Sequence, residues 1–300
     1  MKKNMNLPKQ IEFDEAASQL LKKLETENKR IRDFFIRSYK GLPTSPEMEE
    51  ETYNYFIRHS LFAVAIITSP SSSVITEFFY GGLPLSFPID KYVFQSKSGK
   101  AVRARLITVE RELPKIIEKY RSKGDVLIGN LGSGPGRDVI NVFSTHYRDI
   151  SNVRAIHIDK DISSLKKGRR IATIKGIDHM INFAEGNFLK YKTTKKFDII
   201  LLIGVLCSLK SEICIYLLKK IKSLLKRNGC LLVSNVSKKM LEEDPFTYFL
   251  MEKIGNWKLV FKDEKELEQI YKKAGYNWEG YFTDSYGFHI LGKGTPRFYF

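Results

Sequence analysis

A chain of 300 residues that is 43% hydrophobic can bury one large core or two smaller ones. Its longest apolar run, Phe62-Ala-Val-Ala-Ile-Ile67, falls far short of the ~20 residues that cross a bilayer, which excludes a helical membrane span. Lysine and arginine number 50 against 34 acids, a net charge of +16 that brings nucleic acid, lipid and small anions into consideration as partners.

The first third reads helical. From about Gln10 to Lys40, Ala17, Leu20, Leu24, Ile31, Phe34 and Phe35 recur at helical spacing, and Gly41 stops the run. Ser45, Pro46 and Glu47 open a second helix, expected to reach about Thr68 before Pro70 and the serines Ser71, Ser72 and Ser73. A short helix from Val74 to Tyr80 ends at Gly81-Gly82. Leu83 to Ser98 carries three aromatics, two prolines and no helical period, and reads as an ordered loop. Lys100 to Arg121 is helical again, with Leu106, Val109, Leu113 and Ile117 on one side. Its Arg103 and Arg105 stand where either can clamp a carboxylate if the helix starts near a ligand.

Asp125-Val-Leu-Ile-Gly-Asn-Leu-Gly132-Ser-Gly134-Pro-Gly136-Arg-Asp138 reads as a buried strand running into a glycine-rich turn, with a helix from about Arg137. Glycines there permit positive φ and close approach of a ligand to the helix N-terminus, so the stretch predicts a nucleotide-like cofactor on a doubly wound α/β sheet. The next strand, Ala155 to Ile158, ends in Asp159, placed to bind ribose hydroxyls.

The succession Leu131-Gly-Ser-Gly-Pro-Gly136, Asp159, Ala184-Glu-Gly-Asn-Phe188 and Phe197-Asp-Ile-Ile-Leu-Leu-Ile-Gly204 resembles the ordered motifs of class I S-adenosylmethionine (SAM) dependent methyltransferases, over roughly residues 125 to 236. The resemblance implies SAM as cofactor. Gly132, Ser133, Gly134 and Gly136 would then meet the methionine part, Asp159 the ribose, and Asn187 and Phe188 the adenine; Asn130 and Gly204 complete the cofactor set. Many members carry an acid at the place of Asn130 and an aspartate at that of Asn187. The asparagine carbonyl still accepts a hydrogen bond, and its amide adds donors.

Beyond the turn, Asp161 caps a helix whose inner face is Leu165, Ile171 and Ile174, ended by Gly176. Ile213, Leu217, Ile221 and Leu224 stripe the next helix, whose last turn carries Lys226 and Arg227. Cys230 to Val236 is the fifth strand, Lys265 to Lys273 a helix, and Trp278 to Phe282 with Phe288 to Leu291 a closing hairpin around Asp284 to Gly287. This ending resembles the Rossmann-like seven-stranded methyltransferase sheet with its last strand antiparallel. The expected division is a mainly helical region over 1–98 on the substrate side, then a SAM-binding domain over 99–300 with an aromatic insert near 240–260.

Ile75-Thr-Glu-Phe-Phe-Tyr-Gly, Ser96-Lys-Ser-Gly-Lys-Ala101-Val-Arg-Ala-Arg105 and the C-terminal Pro245, Phe246, Tyr248, Asn256-Trp257 and Ala274-Gly275-Tyr276 are similar, more weakly, to the bacterial branch of hydroxypalmitate methyl ester synthases. That resemblance implies a carboxylate or lipid-like acceptor. Ligands of open α/β sheets bind over the carboxyl ends of the strands, which makes Tyr92, Phe94, Arg103, Val205, Leu206, Asn235, Tyr248 and Phe249 candidates to line the acceptor site.

A small-molecule methyltransferase is therefore the leading reading, acting by in-line transfer in which the protein aligns and desolvates the reactants. Two others stand beside it: aminocarboxypropyl transfer of the nicotianamine synthase type, and a non-catalytic protein that holds nucleic acid or another protein. Neither His289 nor Asp284 has a spacing that marks it as a catalytic base, and none is nominated. The excess lysines spread over every predicted helix without forming one arm, so a nucleic-acid partner is open but not favoured. Cys207, Cys214 and Cys230 read as reduced core thiols, the 5 histidines are scattered, and no metal site is expected. Met1-Lys-Lys-Asn-Met-Asn lacks the apolar stretch of a signal peptide, so a cytoplasmic location is expected.

Overall fold

Seven strands, β1 (Val126–Leu131), β2 (Val153–Asp159), β3 (Ile181–Glu185), β4 (Phe197–Leu202), β5 (Leu225–Val236), β6 (Tyr276–Thr283) and β7 (His289–Pro296), make one sheet in the order β3-β2-β1-β4-β5-β7-β6. The computed structural model describes residues 15–69, 72–81, 85 and 87–298. Strands β1 to β5 pair in parallel, and β7 runs antiparallel between β5 and β6. Strand order reverses between β1 and β4, so the crevice at their carboxyl ends is the place where such sheets take ligands.

Continuous apolar runs make central strands because both faces are covered. All six residues of β4 are buried. On one face, α7 (Lys97–Arg121) and α8 (Arg137–His146) set Val109, Leu113, Ile117, Val139, Ile140 and Phe143 against Ile128, Ile199, Leu201 and Leu232. On the other, α10 (Ser211–Ile221) and α13 (Glu264–Lys273) set Leu217, Leu218, Leu267 and Tyr271 against Ile200, Leu202, Leu231 and Val233. In α9 (Ile162–Ile174) Leu165 faces inward, but Ile174 is 75% exposed, as Ile213 of α10 is at 51%. Both were expected inside; Ala172 and Cys214 take the inner positions instead.

Several boundaries differ from the sequence reading for local reasons. The helix expected over 10–40 is two, α1 (Glu15–Glu27) and α2 (Lys29–Tyr39), because Asn28 turns extended and accepts from the amides of Arg30 and Ile31; residues 10–14 lie outside the described residues. The helix expected over 45–68 breaks in the same way at Ser60, giving α3 (Pro46–His59) and α4 (Leu61–Thr68). An asparagine or serine side chain that caps a new helix outcompetes a continuing apolar period. Asp90, fully buried, completes the second break by accepting from Ser60 Oγ at 2.6 Å and the amides of Leu61 and Phe62.

Asp90 belongs to α6 (Pro88–Gln95), a helix where a loop was expected. Pro88 sits in its first turn, where a missing N–H costs nothing. The short helix α5 (Ser73–Phe79) ends at Tyr80 and at Gly81, whose φ is 80°; Pro70, Ser71 and Gly82 lie outside the described residues. Helix α10 stops at Ile221, and Lys226 and Arg227 belong to the start of β5, where pairing slips between Phe197 and Ile199.

The aromatic insert is helical too, as α11 (Lys239–Glu243) and α12 (Pro245–Gly255). Phe246 and Phe249 stack at 5.9 Å and meet Phe35 and Tyr39 of α2 edge-on, so the insert and the N-terminal helices share one apolar cluster. Fully buried Lys262 ties this cluster to the sheet. Its ammonium donates to the carbonyls of Leu206, Leu209 and Val260 and to Asn235 Oδ1 at 2.7–3.3 Å. Lys262→Met keeps the stem and strands these acceptors, so denaturant unfolding should show a loss of about 2–4 kcal/mol.

Candidate functional site

The turn after β1 is set by three left-handed glycines, Gly132 (φ 64°), Gly134 (φ 53°) and Gly136 (φ 72°). Backbone amides of Gly132 and Ser133 donate to the carbonyl of Ile158, which pins the turn to the end of β2. Asp159 bridges it to α9, accepting from Gly134 N at 2.7 Å and from Asp161 N at 2.9 Å. Each carboxylate oxygen keeps a further lone pair, so the pair of hydroxyls on a ribose can still be met.

Each glycine also lacks a Cβ for a separate steric reason. A Cβ on Gly132 would stand 2.8 Å from Val205 Cγ2 and 3.7 Å from Phe188 Cε1, so Val205 and Phe188 form an apolar wall beside the turn. At Gly134 it would meet Ser73 Cβ at 2.9 Å, because α5 lies across the turn. At Gly136 it would overlap the imidazole of His157, which fills the space beneath the turn. His157 is fully buried, neither ring nitrogen has a partner, and burial pushes its pKa down to about 3, so it is a neutral packing group.

Helix α5 is latched in place. Its buried Glu77 accepts from Arg137 at 2.5 and 2.8 Å and pairs with Lys167 at 2.6 Å, joining it to both α8 and α9. Burial alone would raise the Glu77 carboxyl, but these two cations outweigh it and hold the group below the usual range. Ser73 adds a hydroxyl contact with Ser164, which in turn donates to Asp161.

At the crevice itself lies a buried polar cluster. Asn130 Nδ2 donates to Asp138 Oδ1 at 3.1 Å, so a carboxylate stands beside position 130 after all, supplied by the first turn of α8. Burial raises the Asp138 pKa against the pull of Val139 N, Asn130 and the nearby Arg105. Arg105 is itself buried: Nη2 donates to Tyr80 Oη at 3.2 Å, while Nε is enclosed and has no partner. A Cβ on Gly204, just past β4, would be 3.6 Å from Arg105 Nη1. A guanidinium with an unspent buried donor, set among the ends of β1 and β4, suits a carboxylate.

The other candidates are distributed unevenly. Asn187 is exposed, and its Oδ1 accepts from Leu189 N at 2.9 Å, leaving its amide and one lone pair on Oδ1 for a ligand. Arg103 donates to the Phe94 carbonyl at 2.8 Å and lies 4.0 Å over the Phe94 ring. Tyr92 and Tyr248 are buried in the aromatic cluster, against Phe246 and Phe261 respectively, and Asn235 is spent on Val236 and Lys262. Val205, proposed for the acceptor side, touches the glycine turn. Leu206 and Phe249 are buried in the cores. Burial pushes all three thiols up, Cys207 against the pull of Arg105 and Lys262, Cys214 to about 11 and Cys230 to about 12, which leaves none activated. Among the described residues no cluster suits a metal ion.

Tyr80, Glu77, Asp138 and the Asp284–His289 pair were not selected from sequence. The last joins His289 Nδ1 to Asp284 Oδ2 at 2.9 Å.

A β3-β2-β1-β4-β5-β7-β6 sheet with antiparallel β7, a helical N-terminal region and a glycine turn at the reversal point defines a Rossmann-like, SAM-dependent methyltransferase of class I. A methyltransferase domain family model matches residues 122–275, and the chain belongs to that family. No curated protein matches in sequence. Among solved structures, a Bordetella parapertussis protein described as a candidate for export superposes with a TM-score of 0.69 at 13% identity, covering 94% of this chain and 97% of that one. Magnesium protoporphyrin IX methyltransferase of Synechocystis PCC 6803 with bound S-adenosylhomocysteine (SAH) gives 0.52 at 14% identity over 67% and 88%. A Nostoc punctiforme PCC 73102 protein proposed to be an O-methyltransferase gives 0.54 at 14% over 95% and 100%.

Gly136→Ala adds a side chain both to a left-handed backbone and to the space held by His157. Thermal or denaturant unfolding should show a loss exceeding the ~1–2 kcal/mol of the backbone conformation alone. Combining it with His157→Ala should return part of that loss, a coupling absent if the two residues were independent.

Proposed function

We propose that this enzyme methylates a small organic acceptor with an apolar body, bound over the carboxyl ends of β4 and β5, with its cofactor lying along the glycine turn. The observation that carries the reading is the enclosed guanidinium of Arg105, whose Nε has no partner although it is set among Asp138, Tyr80 and Gly204. A buried donor in this state calls for an acceptor from a ligand. The methionine carboxylate of SAM fits it.

In this reading Gly132, Ser133 and Gly134 present backbone to the cofactor, Asp159 holds the ribose, and Phe188 with Val205 walls the adenine. Asp138, beside Asn130, takes the place of the acid that many relatives carry on the strand, facing the amino group. SAM supplies a sulfonium methyl already activated for transfer. The chain contributes alignment and dryness: α5, latched by Glu77 and Arg137, covers the turn and keeps water out.

Buried Phe288, Val236, Tyr92 and Cys207 belong to the cluster that flanks the acceptor side, which supports an apolar acceptor body. The weaker resemblance to the hydroxypalmitate methyl ester synthase branch points to the same property.

Calorimetric titration with SAM, SAH and 5′-methylthioadenosine, which lacks the amino-acid part, tests the assignment. Asp159→Ala should weaken all three, by about tenfold or more, equivalent to about 1.4 kcal/mol. Arg105→Met should weaken SAM and SAH while leaving methylthioadenosine unchanged; equal losses for all three would remove the carboxylate role. Product mass should show one added methyl group, and an aminocarboxypropyl increment would sink the methyl-transfer reading.

A further inference from the structure

We propose that His289 is the general base of this enzyme and that its acceptor presents a hydroxyl group, an inference that rests on the SAM-dependent reading above. His289 opens β7 and pairs with Val236 at the end of β5, which puts it at the carboxyl edge of the parallel strands, where the acceptor binds. It shares strand parity with Leu291, whose side chain lies in the core on the α7 side. Arg105 comes from that helix and stands beside Gly204 at the end of β4. Three elements thus converge on one side of the crevice.

Its partner fixes the tautomer. Asp284, in the turn between β6 and β7, accepts from Tyr286 N at 2.7 Å, His289 N at 2.5 Å and His289 Nδ1 at 2.9 Å. Burial would raise this carboxyl, but His289 and the backbone amides outweigh it and keep it ionised. With the Nδ1 proton committed to Asp284, the lone pair is on Nε2. That nitrogen has no hydrogen-bond partner among the described residues, and unlike both nitrogens of His157 it is not fully enclosed. Burial, then the Arg105 charge, lowers the His289 pKa against the pull of Asp284, which keeps the ring in its neutral form.

A base selects among acceptors. A carboxylate is already ionised and needs none. An ammonium would bring a second positive charge next to Arg105. A hydroxyl is the acceptor that needs the base, since His289 takes its proton as the oxygen attacks. Nε2 accepts the proton as the oxygen bonds to the methyl carbon; the carbon–sulfur bond breaks with its electrons going to sulfur, leaving a methyl ether and SAH. Asp284 stabilises the imidazolium until the proton passes to water.

Two measurements test this. Diethyl pyrocarbonate labelling of the SAM-free protein, mapped by mass, should modify His289 as well as the exposed His59 and spare His157. A His289 as inert as His157 overturns the proposal. In the second, full-length wild type, His289→Gln and Asp284→Asn are assayed with SAM and a probe set of phenol, catechol, 1-octanol, octanoate and octylamine. Wild type should methylate a hydroxyl probe, with kcat falling about a hundredfold or more in His289→Gln and less in Asp284→Asn. SAH affinity should be unchanged in both variants, showing that the cofactor site is intact. Methylation confined to octanoate or octylamine, no methylation of any hydroxyl probe, or an undiminished rate in His289→Gln overturns it. Absence of SAH binding to wild type would instead sink the cofactor reading beneath it.

Discussion

The rest of the structure depends on a turn that has no room for side chains in three directions at once. At Gly132 the space belongs to Val205 and Phe188, at Gly134 to Ser73, and at Gly136 to His157. One five-residue bend therefore sets the apolar wall after β3 and β4, the height of the N-terminal cover, and the packing of β2 beneath it. Only glycine combines positive φ with these contacts. The amides of the bend are spent inside the protein, on Ile158, Asp159 and Ser133, and the tight packing around it is what keeps its backbone fixed.

Charge is handled differently at the surface and in the interior. The excess of 16 positive charges is carried mainly by exposed lysines. The buried ions have distinct partner sets. Glu77 is matched by Arg137 and Lys167, Lys262 is caged by carbonyls, and Asp284 is wrapped by two amides and an imidazole. Arg105 alone among these keeps an enclosed donor unspent. Desolvating a charge is expensive unless its hydrogen bonds are made. The exception stands where β1 and β4 diverge, the part of the molecule open to a ligand.

The sheet was legible because its strands are buried on both faces and leave unbroken apolar runs, as in Phe197 to Leu202, and the glycine turn because a strand and a helix flank it. Helix breaks at Asn28 and Ser60 were hidden by an apolar period that continues across them; only the cap hydrogen bonds show the break. Helix α6 was missed because Pro88 reads as a breaker unless its place in the first turn is known. The latch and the cage were beyond sequence reasoning, since Glu77 lies 60 residues from Arg137 and Lys262 lies 56 from Leu206. Asp284 and His289 are only five apart, but a hairpin turn is what makes that spacing a contact.

The N-terminal helices and the insert after β5 do not form separate appendages. Phe35 and Tyr39 of α2 meet Phe246 and Phe249 of α12, and Asp244 caps α12 while accepting from Ser98 N at 2.8 Å on α7. Val260 N donates to Cys207 O and Lys262 N to Val236 O, so the segment after the insert is stitched to the loop beyond β4 and the end of β5. Segments from both halves of the chain thus close over the strand ends that carry Gly204 and His289, beside Arg105 of α7. Any movement that admits an acceptor must displace part of this shared aromatic core, because cores packed to this density do not deform in small steps. The cover and the reacting groups are therefore coupled through Phe288, which packs in that core beside His289 in sequence.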